Sequence, residues 1–137
     1  MKKAYLINFD KPLPEKVIEE VEKNYEDIDE LIVVNKKVTI DLRKKNIYIQ
    51  CIDIRRSIEK EYPTIFTEDN AIIVNPPGFA IAAIYLINEI EARLKTKPYI
   101  LELIKNKDSN HLFSQFEFRR VLSLEYNKNV SRTKEED

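Results

Sequence analysis

Short apolar runs alternate with segments of helical periodicity along this chain of 137 residues. The runs have the length and β-branched content of strands, and three of them are followed directly by Asn or Asp. Strands that alternate with helices predict an α/β fold whose mostly parallel sheet is covered by helices on both faces. Strand patterns occupy 4–9, 31–34, 71–74 and 99–104, and helical patterns occupy 14–25, 46–62 and 79–94.

Two further segments alternate between apolar and polar residues. Val38, Ile40 and Leu42 predict either an extension of the second strand or a separate short strand. Residues 116–126 predict a last strand, which the polar segment 105–111 joins to the preceding strand as a C-terminal antiparallel hairpin.

The C-terminal part of the chain contains the last predicted strand and, after the predicted domain ends, a charged tail. Arg120 interrupts the apolar face of this strand, which indicates a bulge, an edge or an interface. The sequence shows no repeat and no linker. The predicted fold class is therefore a single Rossmann-like three-layer α/β domain over 1–129. It is followed by a charged tail, 130–137, which we expect to be disordered.

The rarity of Gly, His and Cys excludes several kinds of site. A single glycine cannot supply the spaced glycines of a dinucleotide-binding turn, a Walker A loop or an EF-hand. His111 is the only histidine and Cys51 the only cysteine, so metal sites built from several His and Cys ligands are excluded by count. His111 lies in a polar segment, where a solvated loop residue is expected. We therefore expect neither a metal ion nor a cofactor.

The charge balance and the hydropathy narrow the range of partners. The chain has 23 Lys and Arg against 24 Asp and Glu, whereas proteins that bind duplex nucleic acid usually carry a basic excess. Cys51 has no partner for an intramolecular disulfide, which is typical of a reducing compartment. The apolar run near the N-terminus is too short for a signal peptide, and no stretch approaches the roughly 18 apolar residues of a membrane span. We expect a cytoplasmic protein with no membrane anchor and no duplex nucleic-acid partner.

Polar residues follow three of the predicted strands at the points where these strands end. Ligands of open parallel α/β sheets bind outside the carboxyl ends of the strands, so we expect these residues to gather at one site. Asn amides can read base edges or sugar hydroxyls, and Lys ammonium groups can bind phosphate oxygens. Asn, Asp and Pro also favour turns that bind nothing, and that alternative stays open. The candidate ligand-binding residues are Asn8, Phe9, Asp10, Lys11, Lys36, Asn75, Pro76, Pro77, Gly78 and Phe79, with Asn35 and Lys37 at the same edge.

The segment Asn-Pro-Pro-Gly, which ends at Gly78, is the most specific local feature. Its prolines fix φ, while Gly78 permits a positive φ or the close approach of another molecule. A long helix follows directly, and its N-terminus offers unpaired N–H groups and the positive end of the helix dipole to an anion. A tight turn without a ligand is the alternative. The position of the chain's one glycine in this turn favours a site.

Charged residues elsewhere predict structural roles. Glu89 and Arg93 stand four residues apart on a helix, which indicates an intrahelical ion pair, or a dimer contact for Arg93. Arg93 lies too far along the helix from Gly78 to bind the same phosphate within one subunit. We expect Arg55 and Arg56 on a solvated helix face.

Four short motifs give the chain a resemblance to a known family. The combination, which spans most of the chain, resembles a small family of CRISPR-associated accessory proteins of type III systems that are related to CARF (Rossmann-like) sensor domains. The motifs are Asn8-Phe9-x-x-Pro12-Leu13, Val74-Asn75-Pro76-Pro77-Gly78, Glu89-Ile90-x-x-Arg93-Leu94 and Pro98-Tyr99-Ile100-Leu101.

The resemblance implies a CARF-like domain in a homodimer, alone or within a higher assembly. It implies that the dimer binds a cyclic oligoadenylate second messenger, with cyclic tetra-adenylate as the first candidate. Binding would damp the signal by sequestering the ring or by cleaving it, as ring nucleases do. A ring with two-fold symmetry suits a two-fold dimer, and Phe9 or Phe79 would offer a stacking surface for adenine.

Whether the chain is an enzyme stays open. Ring cleavage through a ribose 2′-OH needs alignment and a donor for the developing charge, which Lys11 or Lys36 would supply. The sequence offers no convincing acid–base pair, so its catalytic residues stay unknown, and binding with or without slow cleavage is the favoured interpretation. The alternatives are an efficient ring nuclease, a Rossmann-like enzyme that uses a mononucleotide, and an interaction module without a ligand.

Overall fold

The computed structural model describes residues 3–24, 28–43, 46–67, 69–105 and 116–123. The elements are β1 (Lys3–Asn8), α1 (Glu15–Lys23), β2 (Glu30–Asn35), α2 (Ile47–Glu61), β3 (Ala71–Asn75), α3 (Ala80–Arg93), β4 (Tyr99–Lys105) and β5 (Phe116–Ser123). The three predicted helices and the first four predicted strands are confirmed to within two residues at each end. Among the described helices, none combines the length and the apolar character that crossing a bilayer requires.

Four parallel strands form the body of the sheet, whose order is β2-β1-β3-β4-β5. β1 pairs in parallel with β2 and with β3, and β3 pairs in parallel with β4. The predicted α/β class with a mostly parallel sheet is confirmed, and the arrangement is compatible with a Rossmann-like three-layer fold. β5 pairs antiparallel with β4. The connection between them, which contains His111, and the predicted tail 130–137 lie outside the described residues.

The pairing of β4 with β5 is irregular beside Arg120. Glu102 is opposite Arg120, but the next residue, Leu103, is opposite Phe118, so Arg119 has no partner in the register. An extra residue of this kind is a β-bulge. The position of Arg120 in the sequence indicated a bulge, an edge or an interface. The structure has the bulge, and β5 is an edge strand.

Apolar side chains on the two faces of the sheet form separate core clusters. One cluster joins Ile7 of β1 to Ile58 of α2 and Leu86 of α3. The other joins Leu6 of β1 to Val17 of α1. Every residue of β3 is buried, as expected for a strand that helices cover on both faces. The layers are therefore α1, the sheet, and the pair α2 and α3.

The segment that follows β2 is not a strand, so the strand predicted from Val38, Ile40 and Leu42 is wrong. Gln50 of α2 binds the backbone of Asp41 with both ends of its amide. Its Oε1 accepts from the Asp41 N–H at 2.8 Å, and its Nε2 donates to the Asp41 carbonyl at 2.7 Å. These bonds occupy backbone groups that a strand would pair with its neighbour. The segment is therefore held against α2, with Val38 and Ile40 packed on the core.

Ion pairs cross between α2 and α3. Arg55 Nη1 lies 2.6 Å from Glu59 Oε1 and its Nη2 lies 3.8 Å from Glu89, while Arg93 lies 3.4 Å from Glu59. The Arg55 side chain is only 13% exposed, so its expected place on a solvated face is wrong, whereas Arg56 is exposed as expected. Glu89 and Arg93 pair with α2 rather than with each other, because the neighbouring helix offers both of them an opposite charge.

Cys51 of α2 is fully buried against α3, with its Sγ 3.9 Å from the carbonyl oxygen of Ala82. Burial raises the pKa of the Cys51 thiol above its ordinary value, and the negative charge of Glu89 adds to the effect. The folded protein therefore holds this thiol in its neutral form.

We expect Cys51→Ala to change how the free energy of unfolding depends on alkaline pH. The thiol ionises at its ordinary pKa in the unfolded chain but at a higher pH in the folded one. The wild type should therefore lose stability relative to Cys51→Ala as the pH rises above that ordinary value, by at most about 1.4 kcal/mol per pH unit. Urea denaturation at about pH 7 and about pH 10 measures the difference. A difference that does not change with pH would contradict the burial of the thiol.

Candidate ligand-binding site

The order of the strands reverses between β1 and β3. The chain passes from β1 to β2 on one side, and then to β3 and β4 on the other side. In doubly wound sheets, the gap at such a switch point, outside the carboxyl ends of the strands, is where ligands bind. In this sheet the switch point lies at Asn8 and Asn75, the last residues of β1 and β3.

Three asparagines occupy this edge in one register. Asn8 is paired with Asn35 at the end of β2 and with Asn75 at the end of β3. The pairing continues past the strands, since the Phe9 N–H donates to the Asn75 carbonyl at 3.0 Å and the Lys36 N–H donates to the Asn8 carbonyl at 2.9 Å. The predicted convergence of the three asparagines is confirmed. We call Asn8, Asn35 and Asn75 the asparagine cluster.

The Asn8 side chain is the centre of the asparagine cluster and is almost completely buried. Its Nδ2 donates to the Lys11 carbonyl and to Asn35 Oδ1, each at 3.0 Å. Its Oδ1 accepts from the Asp10 N–H at 3.1 Å and from Asn75 Nδ2 at 2.9 Å. A carbonyl can only accept and an N–H can only donate, so Lys11 and Asp10 fix the orientation of the amide. The chain itself uses both donors and both acceptor sites of this amide, so Asn8 organises the edge for the residues around it.

A groove of about 480 Å³ opens beside the asparagine cluster. It is lined by the segments that follow β1, β2 and β3, and we call it the edge groove. Six of the predicted candidates line it: Phe9, Asp10, Lys11, Pro77, Gly78 and Phe79. The remaining lining residues are Lys37, Val38, Ile40 and Leu42. Of the other candidates, Asn75 is buried, Pro76 is half-buried, and neither Asn8 nor Lys36 contributes to the lining.

Two lysines and one carboxylate bring charge to the edge groove. Lys11, Lys37 and Asp10 are all solvent-exposed. Lys36, a predicted candidate, instead forms an ion pair with Glu61 at the end of α2, with Nζ 3.1 Å from Oε1. The Glu61 side chain is more than half exposed, so this pair is of the weak surface kind. The positive charge that an anion would meet in the groove therefore comes from Lys11 and Lys37.

α3 begins at the edge groove without a side-chain cap. Its N-cap residue, Phe79, makes no capping hydrogen bond, whereas Asn46 at the start of α2 accepts from the Ile49 N–H at 2.8 Å. The first bond of α3 runs from the Ala83 N–H to the Phe79 carbonyl at 2.9 Å, so the N–H groups of residues 80–82 precede it. An uncapped helix N-terminus beside two lysines favours an anion.

Gly78 does not use the conformational freedom expected of it. No glycine in the described residues has a positive φ, so Gly78 does not use the first of the two possibilities that the sequence left open, and the turn is one that other residues can also adopt. A Cβ built on Gly78 would meet no atom within 4 Å. Packing in the chain does not require glycine at this exposed position. The close approach of another molecule to this turn stays a prediction.

One of the two aromatic candidates has an accessible ring. Phe79 is 41% exposed, whereas Phe9 is 3% exposed and packs in the core cluster under α2 and α3. Phe9 therefore supports the base of the edge groove. Phe79 is the ring on which a planar base can stack.

Sequence reasoning missed the wall of the edge groove that follows β2. The sequence predicts Lys37 at this edge, but it predicts a strand for Val38, Ile40 and Leu42. The exposure of Leu42, at 73%, is not apparent in an alternating pattern. The available signal is Gln50, a polar residue among the apolar side chains of the first turns of α2, which holds this segment through Asp41.

Comparison of the chain with models of protein families, with curated proteins and with solved structures found no match. The geometry of the edge groove and the short motifs in the sequence therefore carry the functional proposal together.

We expect Asn8→Ala to destabilise the fold by about 2–4 kcal/mol, because it leaves buried hydrogen-bonding groups of Asn75 and the nearby backbone without a partner. Asn8→Asp, which has nearly the same shape, should also destabilise, because a carboxylate cannot donate to the Lys11 carbonyl or to Asn35. Urea denaturation measures both effects.

Asn24→Ala is the matched control for these variants. Asn24 is exposed at the end of α1, and its Nδ2 donates to the Glu20 carbonyl at 2.8 Å. Its replacement should cost about 0.5 kcal/mol or less. Equal costs for the Asn8 and Asn24 variants would show that the asparagine cluster does not organise the edge.

Proposed function

We propose that this chain binds a cyclic oligoadenylate, with cyclic tetra-adenylate as the first candidate, in the edge groove of a homodimer. One observation carries the proposal: a single groove at the switch point combines two exposed lysines, an uncapped helix N-terminus and an exposed phenylalanine ring. The lysines and the helix N–H groups are suited to phosphodiester oxygens, and the ring is suited to adenine.

Two of the four motifs that carry the family resemblance contribute residues to this groove. Asn8-Phe9-x-x-Pro12-Leu13 supplies the centre of the asparagine cluster and Phe9, and Val74-Asn75-Pro76-Pro77-Gly78 supplies the turn before α3. This agreement supports a CARF-like domain. It also supports a homodimer, since two copies related by a two-fold axis present the same groups to both halves of a symmetric ring.

The biological consequence that we propose is a lower level of the free second messenger of a type III CRISPR system. The edge groove offers cationic and apolar contacts, which bind a ring and thereby sequester it. Cleavage would need in addition a ribose 2′-OH aligned with the adjacent phosphate, and Lys11 or Lys37 to stabilise the developing charge. Sequestration is therefore the primary activity proposed, with slow cleavage as an addition to it.

We expect cyclic tetra-adenylate to raise the Tm of the wild type and to bind Lys37→Gln about tenfold more weakly, because a charge-assisted contact with phosphate is lost. Titration calorimetry measures the affinity. Lys95→Gln is the matched control, since Lys95 is an exposed lysine in the segment after α3, outside the lining of the edge groove. It should bind like the wild type.

Parallel measurements separate the alternatives. Cyclic tri-adenylate and hexa-adenylate test the size of the ring, and chromatography of the incubated ligand distinguishes an intact ring from linear products. Stabilisation by AMP but by no ring would favour an enzyme that uses a mononucleotide. Stabilisation by none of these ligands would contradict the proposal and favour an interaction module.

Gly78→Ala tests the same site without removing a charge. Alanine meets no neighbouring atom there and restricts the unfolded chain, so the variant should be as stable as the wild type or up to about 1 kcal/mol more stable. We expect it nevertheless to bind the ring more weakly, because the methyl group occupies space at the groove. Unchanged ring affinity in Gly78→Ala would contradict a close approach of the ligand to this turn.

A further inference from the structure

Exposed apolar side chains are concentrated near the edge groove. Contiguous apolar surface of this kind commonly marks a binding site. Within the described residues, the large hydrophobic side chains that are exposed on α2, on α3 or just before these helices are Leu42, Tyr48, Ile49, Phe79, Ile81 and Ile84. The remaining exposed one is Ile104 of β4.

A second groove, of about 490 Å³, lies between the start of α2 and the first turns of α3. We call it the helix groove. Its lining is Leu42, Asn46, Ile47, Tyr48, Ile81 and Tyr85. Leu42 also lines the edge groove, so the two grooves adjoin at this side chain.

The helix groove contains a pair of aromatic rings that fix each other. The ring centroids of Tyr48 and Tyr85 are 5.3 Å apart, and the rings are inclined by 71° in an edge-to-face contact. Tyr48 is nevertheless 43% exposed, and Ile81 is 47% exposed. The groove therefore presents an ordered apolar surface of the kind on which planar rings stack.

The two grooves differ in charge. The edge groove has Lys11, Lys37 and Asp10 in its lining, whereas the described residues that line the helix groove are apolar or aromatic, apart from Asn46. Asn46 Oδ1 accepts from the Ile49 N–H at the start of α2, so its Nδ2 is the donor that it can offer to a ligand. The described lining offers a phosphate no cation in exchange for its lost hydration, and an uncharged base needs none.

We infer that the helix groove is a second base subsite, which holds a nucleobase of the same ligand whose phosphate lies in the edge groove. The inference rests on the proposed function and deepens it, because the ligand must then contain at least two nucleotide units. A phosphodiester near Leu42 joins one nucleoside beside Phe79 to the next one beside Tyr48. The boundary between charged and neutral lining matches the boundary between phosphate and base.

A second copy of this chain is the competing occupant of the helix groove. A protein surface of ordinary interface size would also cover Ile49 and Ile84, which are exposed but belong to neither groove. A single base needs only the concave part, where the two tyrosine rings and the Asn46 donor lie. The concavity and its polar donor favour the base.

The test compares AMP with the linear dinucleotide adenylyl-adenosine, using titration calorimetry on the full chain. We expect the wild type to bind the dinucleotide at least tenfold more tightly than AMP. Ile81→Ala and Tyr48→Ala should reduce this advantage about tenfold while leaving the affinity for AMP unchanged, since AMP occupies the edge groove. Ile104→Ala is the matched control, because it shortens an exposed isoleucine that lines neither groove.

Each outcome decides between the possibilities. Unchanged dinucleotide affinity in both variants would overturn the second base subsite, while binding by the wild type would leave the proposed function intact. Failure of AMP, the dinucleotide and cyclic tetra-adenylate to bind the wild type would overturn the proposed function itself. If the variants kept their affinity but sedimented as smaller species than the wild type, a second copy would be the occupant and the subsite would be refuted. Thermal melting identifies a variant that fails to fold, and Ile81→Ala, which shortens a half-exposed side chain outside the buried core, then carries the test.

Discussion

The side chain of Asn8 links the ends of the three strands around the switch point. Its amide joins Asn35 of β2 to Asn75 of β3 and also binds the backbone of the turn at Asp10 and Lys11. A buried amide with all its hydrogen-bonding positions filled is rigid, and it is costly to disturb. The segments that leave the three strands therefore start from fixed positions, and the edge groove between them is formed before any ligand arrives.

Rigidity at the edge explains why the chemistry of the site resides in the turns. The asparagine cluster is used internally, so the groups offered to a ligand are those that follow it: Lys11, Lys37, Phe79 and the first N–H groups of α3. The N–H groups of α3 are held in place by the helix, whereas the exposed side chains of Lys11 and Lys37 lose rotamer freedom when they bind an anion. The helix groove, whose described lining carries no charged side chain, adjoins them at Leu42. The proposed ligand, with its alternating phosphates and bases, would use both surfaces.

The sequence predicted the layout well, because alternation and strand-end chemistry are local properties. The three helices, the four parallel strands and the gathering of Asn8, Asn35 and Asn75 all followed from it. Side-chain hydrogen bonds and ion pairs decided the rest. Gln50 forms two hydrogen bonds with the backbone of Asp41. The alternating segment 38–42 therefore forms a wall of the edge groove instead of a strand. Arg55 forms ion pairs with Glu59 and Glu89, and these pairs place its side chain between α2 and α3. Neither contact has a signature in the spacing of apolar residues. One acceptor position of the Asn8 amide is likewise filled by Asn75, which is 67 positions away in the sequence.

Titration of the isotopically labelled protein with cyclic tetra-adenylate, followed by amide chemical shifts in solution, tests the central claim most directly. The account predicts that the shifts change at residues 9–11, 37–42 and 77–81, which line the edge groove and the start of α3. It predicts little change at residues 66, 67, 69, 70 and 94–96, which line a polar cleft elsewhere on the molecule. Changes confined to that cleft, or no change at saturating ligand, would contradict the assignment of the switch point as the ligand-binding site.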